Sequence, residues 1–382
     1  MYEWVARRTK NMEIPFAQRR LTSLDVFRGI TIALMILVNN PGGAAYYSFL
    51  QHANWNGWTL ADLVFPFFIF IVGTSIPYAF ISKLDQGTGR TKLLVHVVRR
   101  TIILFALGLF INGFPTFNPS TFRIMGVLQR IALCYFFASL IYLFLKPRWR
   151  IILTIAIPTA YWMLLTLVPV PGFGAGVLTE NGSLTGYVDR LLLNGHLYTS
   201  TWDPEGLLST LPAVATALTG VLTGQHLRSK RKPQTKAVNL LFFGSISLAI
   251  GSLWDFWFPI NKNLWTSSYV AFTTGIALIL LATCFWIIDA KGHTTWAKPF
   301  TMLGLNAIFM YVLSEIVNLA LIYTSSPLPE NINTSLKSLI HENLFASWAG
   351  SLQGSFIYAL AYLAFCWAIA AVLYRKRRFL RV

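Results

Sequence analysis

The chain has 382 residues, of which 55% are hydrophobic and only 12% charged, with a mean hydropathy of +0.56. A soluble globular domain carries about a quarter charged residues, so this composition excludes that class and points to a polytopic membrane protein. The net charge of +17 does not indicate nucleic acid, because the basic residues fall in short clusters between apolar runs.

Residues 1–20 form a polar, basic segment with no apolar core and cleavage site, so the first span is expected to direct insertion. Ten apolar runs follow, at roughly 24–40, 59–82, 95–113, 124–145, 150–168, 207–227, 237–258, 267–288, 299–323 and 352–374. Each approaches the ~20 residues that cross ~30 Å of hydrocarbon as a helix. Only helices satisfy their own backbone in lipid. The expected fold is therefore all-α, with about ten transmembrane helices in one integrated domain over 21–374 and a basic tail over 375–382. One set of loops holds nearly all the Lys and Arg, including Arg99, Arg100, Lys146, Arg228 and Arg375, whereas the opposite set holds only Arg190, Lys262 and Lys337, with Arg123 at a helix start. This asymmetry predicts that both termini are cytoplasmic. Cys134, Cys284 and Cys366 lie within apolar runs without metal or redox spacing and read as buried hydrophobes.

At the start of the first span, LDVFRG sets Asp25 and Arg28 three residues apart on one helical face. Asp25 is suited to capping or pairing, and Arg28 either pairs with it or binds an anion from the cytoplasm.

The loop that follows, NNPGGAAYYSFLQHANWNGWTLADLVFP over 39–66, holds Asn39, Asn40 and His52 among Gln, Asn and Trp, with Asp62 inside the next apolar run. It has no Lys or Arg, and the charge asymmetry places it outward. At ~1.5 Å per residue, several polar groups share this outer level: Asp62, Arg130, Asp203 and Glu205 of WDPEG, Asp255, Trp265 and Glu315. Ionisable groups at such depth are functional candidates by default. The plain alternatives are a buried Asp62–Arg130 pair, loop-holding roles for Asp255 and Glu315, and an interfacial anchor for Trp265. The outer connection 169–206 is long, and VDRLLL within it predicts a short helix. Asn181 and Asn333 sit in glycosylation-type triplets.

Zinc, P-loop, Rossmann and GxSxG patterns are absent from the sequence. A histidine beside amides and carboxylates suits acyl transfer, as a base toward an amine or hydroxyl or as a transient acyl carrier. Asparagine can donate to an oxyanion, carboxylates can hold an amino-sugar ammonium, and inner basic residues suit the phosphates of coenzyme A. On this chemistry a secondary transporter without acyl chemistry remains a competing reading. So does a membrane O-acyltransferase acting on a glycan hydroxyl.

The blocks LTSLDVFRGITIALMILVNNPGG, QHANWNGWTLADLVFPFFIFIVGTSI, RIMGVLQRIALCY, WDPEGLLSTLPA, NKNLWTSSYVAFTTG and MLGLNAIFMY run in order through the chain. They resemble the catalytic domain of the heparan-α-glucosaminide N-acetyltransferase family and its bacterial relatives. The resemblance implies a ten-helix core that takes acetyl from cytosolic acetyl-CoA and delivers it to a glucosamine-type amino sugar across the membrane. It implies His52 as the catalytic residue and Asn39 as its companion. One extra residue between them leaves Asn40 as the alternative. The expected acceptor-binding residues are Asp62, Asp203, Glu205, Trp265 and Arg130, those for acetyl-CoA Arg28, Arg99 and Arg100, and no metal is expected. The large lumenal domain and additional N-terminal span of the lysosomal enzyme have no counterpart here. That favours a simpler acceptor, a bacterial inner membrane and, by resemblance, a homodimer.

Overall fold

The computed structural model describes residues 21–324 and 335–379. The basic segment 1–20, Asn333 and Arg381 lie outside the described residues. Among the described residues the regular structure is helical, with no strand beyond an isolated bridge between Val170 and Gly174.

The first five helices are α1 (Thr22–Asn39), α2 (Leu60–Asp85), α3 (Arg90–Gly113), α4 (Val127–Phe144) and α5 (Pro147–Leu167). The short α6 (Leu184–Leu193) lies within the long connection after α5 and is capped by Ser183, whose hydroxyl accepts from the Gly186 amide at 3.3 Å. Then come α7 (Thr210–Arg228), α8 (Pro233–Trp254) and α9 (Ser267–Phe285). The chain closes with α10 (Lys298–Leu305), α11 (Ala307–Tyr323), α12 (Leu336–His341) and α13 (Ser347–Arg375).

All ten expected spans coincide with helices. Eight described helices are long and apolar enough to cross a membrane, and α10–α11, bent by 68°, makes a ninth if counted as one span. The sixth expected span, α7, is the exception: TLPAVATALTGVLTGQHLR is helical but not apolar enough. Burial explains the difference, since thirteen of its nineteen residues are buried. The helix packs against α2, α4, α5 and α9, so it does not need side chains that lipid accepts. Its small residues instead permit close approach to α2. A Cβ at Gly73 would overlap the Ala217 carbonyl, and one at Gly220 the Phe70 carbonyl.

The helices sort into two layers. Most residues of α1, α2, α4 and α9 are buried, whereas α3, α5 and α8 bury few and turn apolar side chains such as Ile155, Phe242 and Phe243 outward. Buried polar residues such as Asp62, Gln129, Arg130 and Thr273 lie on the inner layer, and the His52 loop joins α1 to α2 at one end of it.

Candidate functional site

Asp62 is the hub of this region. It is the third residue of α2, and its carboxylate is almost wholly buried. One oxygen lies 2.7 Å from His52 Nδ1. The other accepts from the backbone amides of Ala53 and Thr59, each at 3.0 Å, and from the Thr59 hydroxyl at 3.2 Å. Thr59 and Asp62 thus follow the T-x-x-D capping pattern at the start of a helix, a signal present in the sequence. A carboxylate can only accept, so Nδ1 of His52 carries a ring proton, and in the neutral imidazole the lone pair is on Nε2. The His52 side chain is 48% exposed.

A proline strengthens this arrangement. Pro66 has no N–H, so the Asp62 carbonyl four residues earlier lacks its helical donor. The Tyr269 hydroxyl from α9 donates to that carbonyl instead. The α2 terminus is therefore tied to α9 at the residue that holds the imidazole.

The turn before α9 lies against the His52 loop. Asn261 Nδ2 donates to Asn56 Oδ1 at 3.1 Å, and the Gly57 amide donates to the Ile260 carbonyl at 2.7 Å. Lys262 on this turn places Nζ 3.1 Å from each ring nitrogen of His52 and 3.8 Å from an Asp62 oxygen. Burial pushes the Lys262 ammonium below the ordinary lysine range, although Glu205 and Asp62 oppose it.

A second cluster stands beside the first. Arg123 Nε and Nη2 donate to the two Asp203 oxygens at 2.8 and 2.6 Å, and Nη2 also reaches Glu205 at 2.5 Å. Burial raises the Glu205 carboxyl, but Arg123, Arg130 and Lys262 outweigh it and hold the carboxyl below its usual range. The two clusters meet through Lys262, which senses Glu205, and through Trp55, whose ring lies 5.1 Å from Trp202.

The expected site residues fare differently. His52 and Asp62 are brought together, which makes His52, not Arg130, the partner of Asp62. Asp203 and Glu205 are brought together but are engaged by Arg123. Arg130 is fully buried, donating to Ser209 and to the Gly206 carbonyl. Its guanidinium lies 4.9 Å over Trp265. Trp265 is 0% exposed, so it is neither an interfacial anchor nor a face open to a sugar. It packs between Phe65, Tyr269 and Arg130 with a left-handed φ of 51°, a conformation uncommon for a bulky residue. Asn40 is buried and donates to the Ile36 carbonyl at 2.8 Å. Asn39 is exposed, with its amide 3.5 Å from Glu315. Of the two, Asn39 therefore has the available side chain. Asp255 accepts from the Ile260 amide at 2.6 Å and holds the turn.

Near the other end, Arg28 pairs with Asp25 at 3.2 Å and donates to Ser75 and to the Gly304 carbonyl, joining α1, α2 and the end of α10. Arg99 is exposed on α3, and Arg100 stacks 4.6 Å over Tyr135. Lys262, Arg123, Thr59 and Tyr269 were not among the expected site residues. In the sequence Lys262 stands out only as one of three cations in the loops expected to face outward.

Over residues 20–254 the chain matches the family model described as heparan-alpha-glucosaminide N-acetyltransferase, catalytic. The heparan-alpha-glucosaminide N-acetyltransferases of Mus musculus and Homo sapiens are 36% and 35% identical to it. Each match covers 78% of this chain, and 54% and 53% of the respective relative. The chain thus spans about half the length of the curated relatives it matches.

Proposed function

This chain belongs to the heparan-alpha-glucosaminide N-acetyltransferase catalytic family, and from that premise we infer that it is a membrane-embedded acetyltransferase. It moves acetyl from cytosolic acetyl-CoA to the amine of a glucosamine-type sugar on the far side of a bacterial inner membrane. The observation that carries this reading is the 2.7 Å pairing of His52 with a buried carboxylate inside the matched region.

The chemistry follows from the tautomer. With Nδ1–H donated to Asp62, Nε2 is the basic nitrogen on a half-exposed ring. It removes a proton from the attacking amine, or attacks the thioester carbonyl itself and carries the acetyl group briefly. Asp62 orients the ring and stabilises the charge that develops on it. Asn39 steadies the carbonyl. Coenzyme A is held from the inner face by basic groups including Arg99 and Arg100, with Arg28 deeper between helices. Asp203 and Glu205, through their pairing with Arg123, shape the acceptor's surroundings rather than offering free charge. The cytoplasmic placement of both termini and a homodimer belong to the same proposal.

Purified protein in liposomes, supplied with labelled acetyl-CoA and glucosamine, tests this directly. Wild type transfers label, and His52→Ala loses it by at least about 10²-fold, the lower range for removing a catalytic acid–base. Full transfer by His52→Ala would overturn the mechanism. Label bound to the protein without acceptor would favour the acetyl-histidine route over direct transfer.

A further inference from the structure

The cations of the outer layer have conventional partners, with one exception. Arg123 grips Asp203 and Glu205, Arg190 donates to the carbonyls of Thr201 and Asn181, and Lys337 donates to Asn318. Lys262 alone rests on an imidazole. Its nearest carboxylate oxygen, on Asp62, is 3.8 Å away, beyond hydrogen-bond reach. Equal distances of 3.1 Å to both ring nitrogens put the ammonium over the ring face, because an in-plane position between them would overlap Cε1. The in-plane direction at Nδ1 is already taken by Asp62. An ammonium has three donors and no acceptor. Among the described residues, the Lys262 ammonium thus makes no hydrogen bond to a carbonyl or carboxylate, and its ion pair is the longer 3.8 Å one with Asp62.

The turn that carries it is built to stay in place. Asn261 is fully buried, accepts from the Leu264 amide at 2.8 Å and clasps Asn56 across the site. The Trp265 amide closes the turn on the Lys262 carbonyl at 3.1 Å, and the buried Trp265 ring anchors it. A donor fixed before the reaction, beside the nucleophilic nitrogen, is the arrangement that stabilises developing negative charge.

We propose that Lys262 is a catalytic residue whose ammonium stabilises the oxyanion formed when the acetyl thioester is attacked at His52, a role that rests on the acetyltransferase reading above. As the acceptor amine or His52 Nε2 bonds to the carbonyl carbon, the carbonyl π pair moves onto oxygen, next to Nζ. Collapse re-forms the C=O bond and breaks C–S, and the thiolate leaves with the bonding pair. In direct transfer the proton lost by the amine passes through His52 to that thiolate. Lys262 gains and loses no proton.

Three variants in liposomes test this, with thermal unfolding in detergent as the folding control. Removing one oxyanion donor lowers kcat by roughly 10²–10³-fold, so Lys262→Met is expected to lose that much with KM nearly unchanged. Lys262→Arg retains the charge and is expected to recover a substantial part. The pH profile reads the charge itself. His52, Asp62, Glu205 and Arg130 face Lys262, and burial lowers its proton affinity. Wild-type activity should therefore fall at alkaline pH below the ordinary lysine range, and Lys262→Arg should move that limb upward. A Lys262→Met enzyme with wild-type kcat, a loss confined to KM, or an unmoved limb in Lys262→Arg would overturn the proposal. His52→Ala separates the two readings. If it is inactive while Lys262→Met is fully active, only the role of Lys262 fails. If His52→Ala is active, the acetyltransferase mechanism fails first.

Discussion

His52 and Asp62 are ten residues apart, and their pairing was half visible in the chain. Polar residues crowding a loop ahead of a buried acid marked both, and the helix-start pattern at Thr59 placed Asp62 at the mouth of α2. Which residue Asp62 would hold was not visible, because Arg130 lay at a similar depth. Depth along a helix says nothing about lateral position, and only packing separated the two. Asp62→Asn exposes what the pair does. The amides of Ala53 and Thr59 would retain the Asn oxygen, so its NH₂ would face His52 Nδ1. That nitrogen must then accept, and the ring proton moves to Nε2, the wrong end for a base. In the serine-protease triad the same exchange lowers kcat by about 10⁴. A loss of roughly 10³–10⁴-fold in acetyl transfer is expected here, with little change in unfolding temperature. Assay of the purified variant beside wild type checks it, and near-wild-type turnover would remove Asp62 from the chemistry.

At the level of elements, the ten apolar runs each located a long helix or, over 299–323, a bent pair of helices, because segments that span lipid must be both long and apolar; the short α12 over Leu336–His341 had no such signal. The same logic explains why α7 reads as a weak span. Protein surrounds it, and its Thr, Ala and Gly residues serve contact rather than solvation. The roles of Trp265 and Arg130 escaped for a related reason, since a tryptophan near a span's end looks the same whether it faces an interface or a buried guanidinium. The outer connection shows how α6 is seated. Asp189 is fully buried, with one oxygen accepting from the Leu207 amide at 2.9 Å and the other lacking a hydrogen-bond partner among the described residues. Burial, helped by the charge of Asp203, pushes its carboxyl up from 3.8 to about 6. A carboxyl raised on folding binds its proton more tightly in the native state. Stability is therefore highest below the unfolded value and is lost as pH climbs to about 6, after which the penalty is constant. Two units correspond to roughly 3 kcal/mol at most. Asp189→Asn mimics the protonated form, so it should unfold at a higher temperature than wild type at pH 8. The gap should shrink as pH falls through about 6. Melting curves at pH 8 and pH 5 in one detergent decide this, and a gap that is unchanged between them would show that Asp189 does not titrate in that window.

For the whole molecule, the arrangement of charge is the argument that joins site to membrane. The inner-layer helices carry buried polar groups toward one end, where the His52 loop, the Lys262 turn and the Arg123 cluster meet. Arg28, Arg99 and Arg100 lie toward the other, where basic loops cluster in sequence. The proposed transfer, from a donor made in the cytoplasm to an acceptor outside, requires these ends to face opposite compartments, with the imidazole reachable from both. The count of apolar helices alone does not fix this, since α7 and the bent α10–α11 pair change the parity depending on how each is counted. The basic asymmetry does make a definite prediction, with cytoplasmic loops holding the excess Lys and Arg. Single-cysteine labelling tests it cleanly, because Cys134, Cys284 and Cys366 are all buried and contribute little background. Glu180 lies exposed in the outer connection and Gln86 lies exposed after α2. A membrane-impermeant maleimide applied to intact cells should modify Glu180→Cys at once and Gln86→Cys only after permeabilisation. The reverse pattern would put the His52 loop on the acetyl-CoA side, leaving no reason for the donor to cross the bilayer, and transfer would then have to occur on a single face.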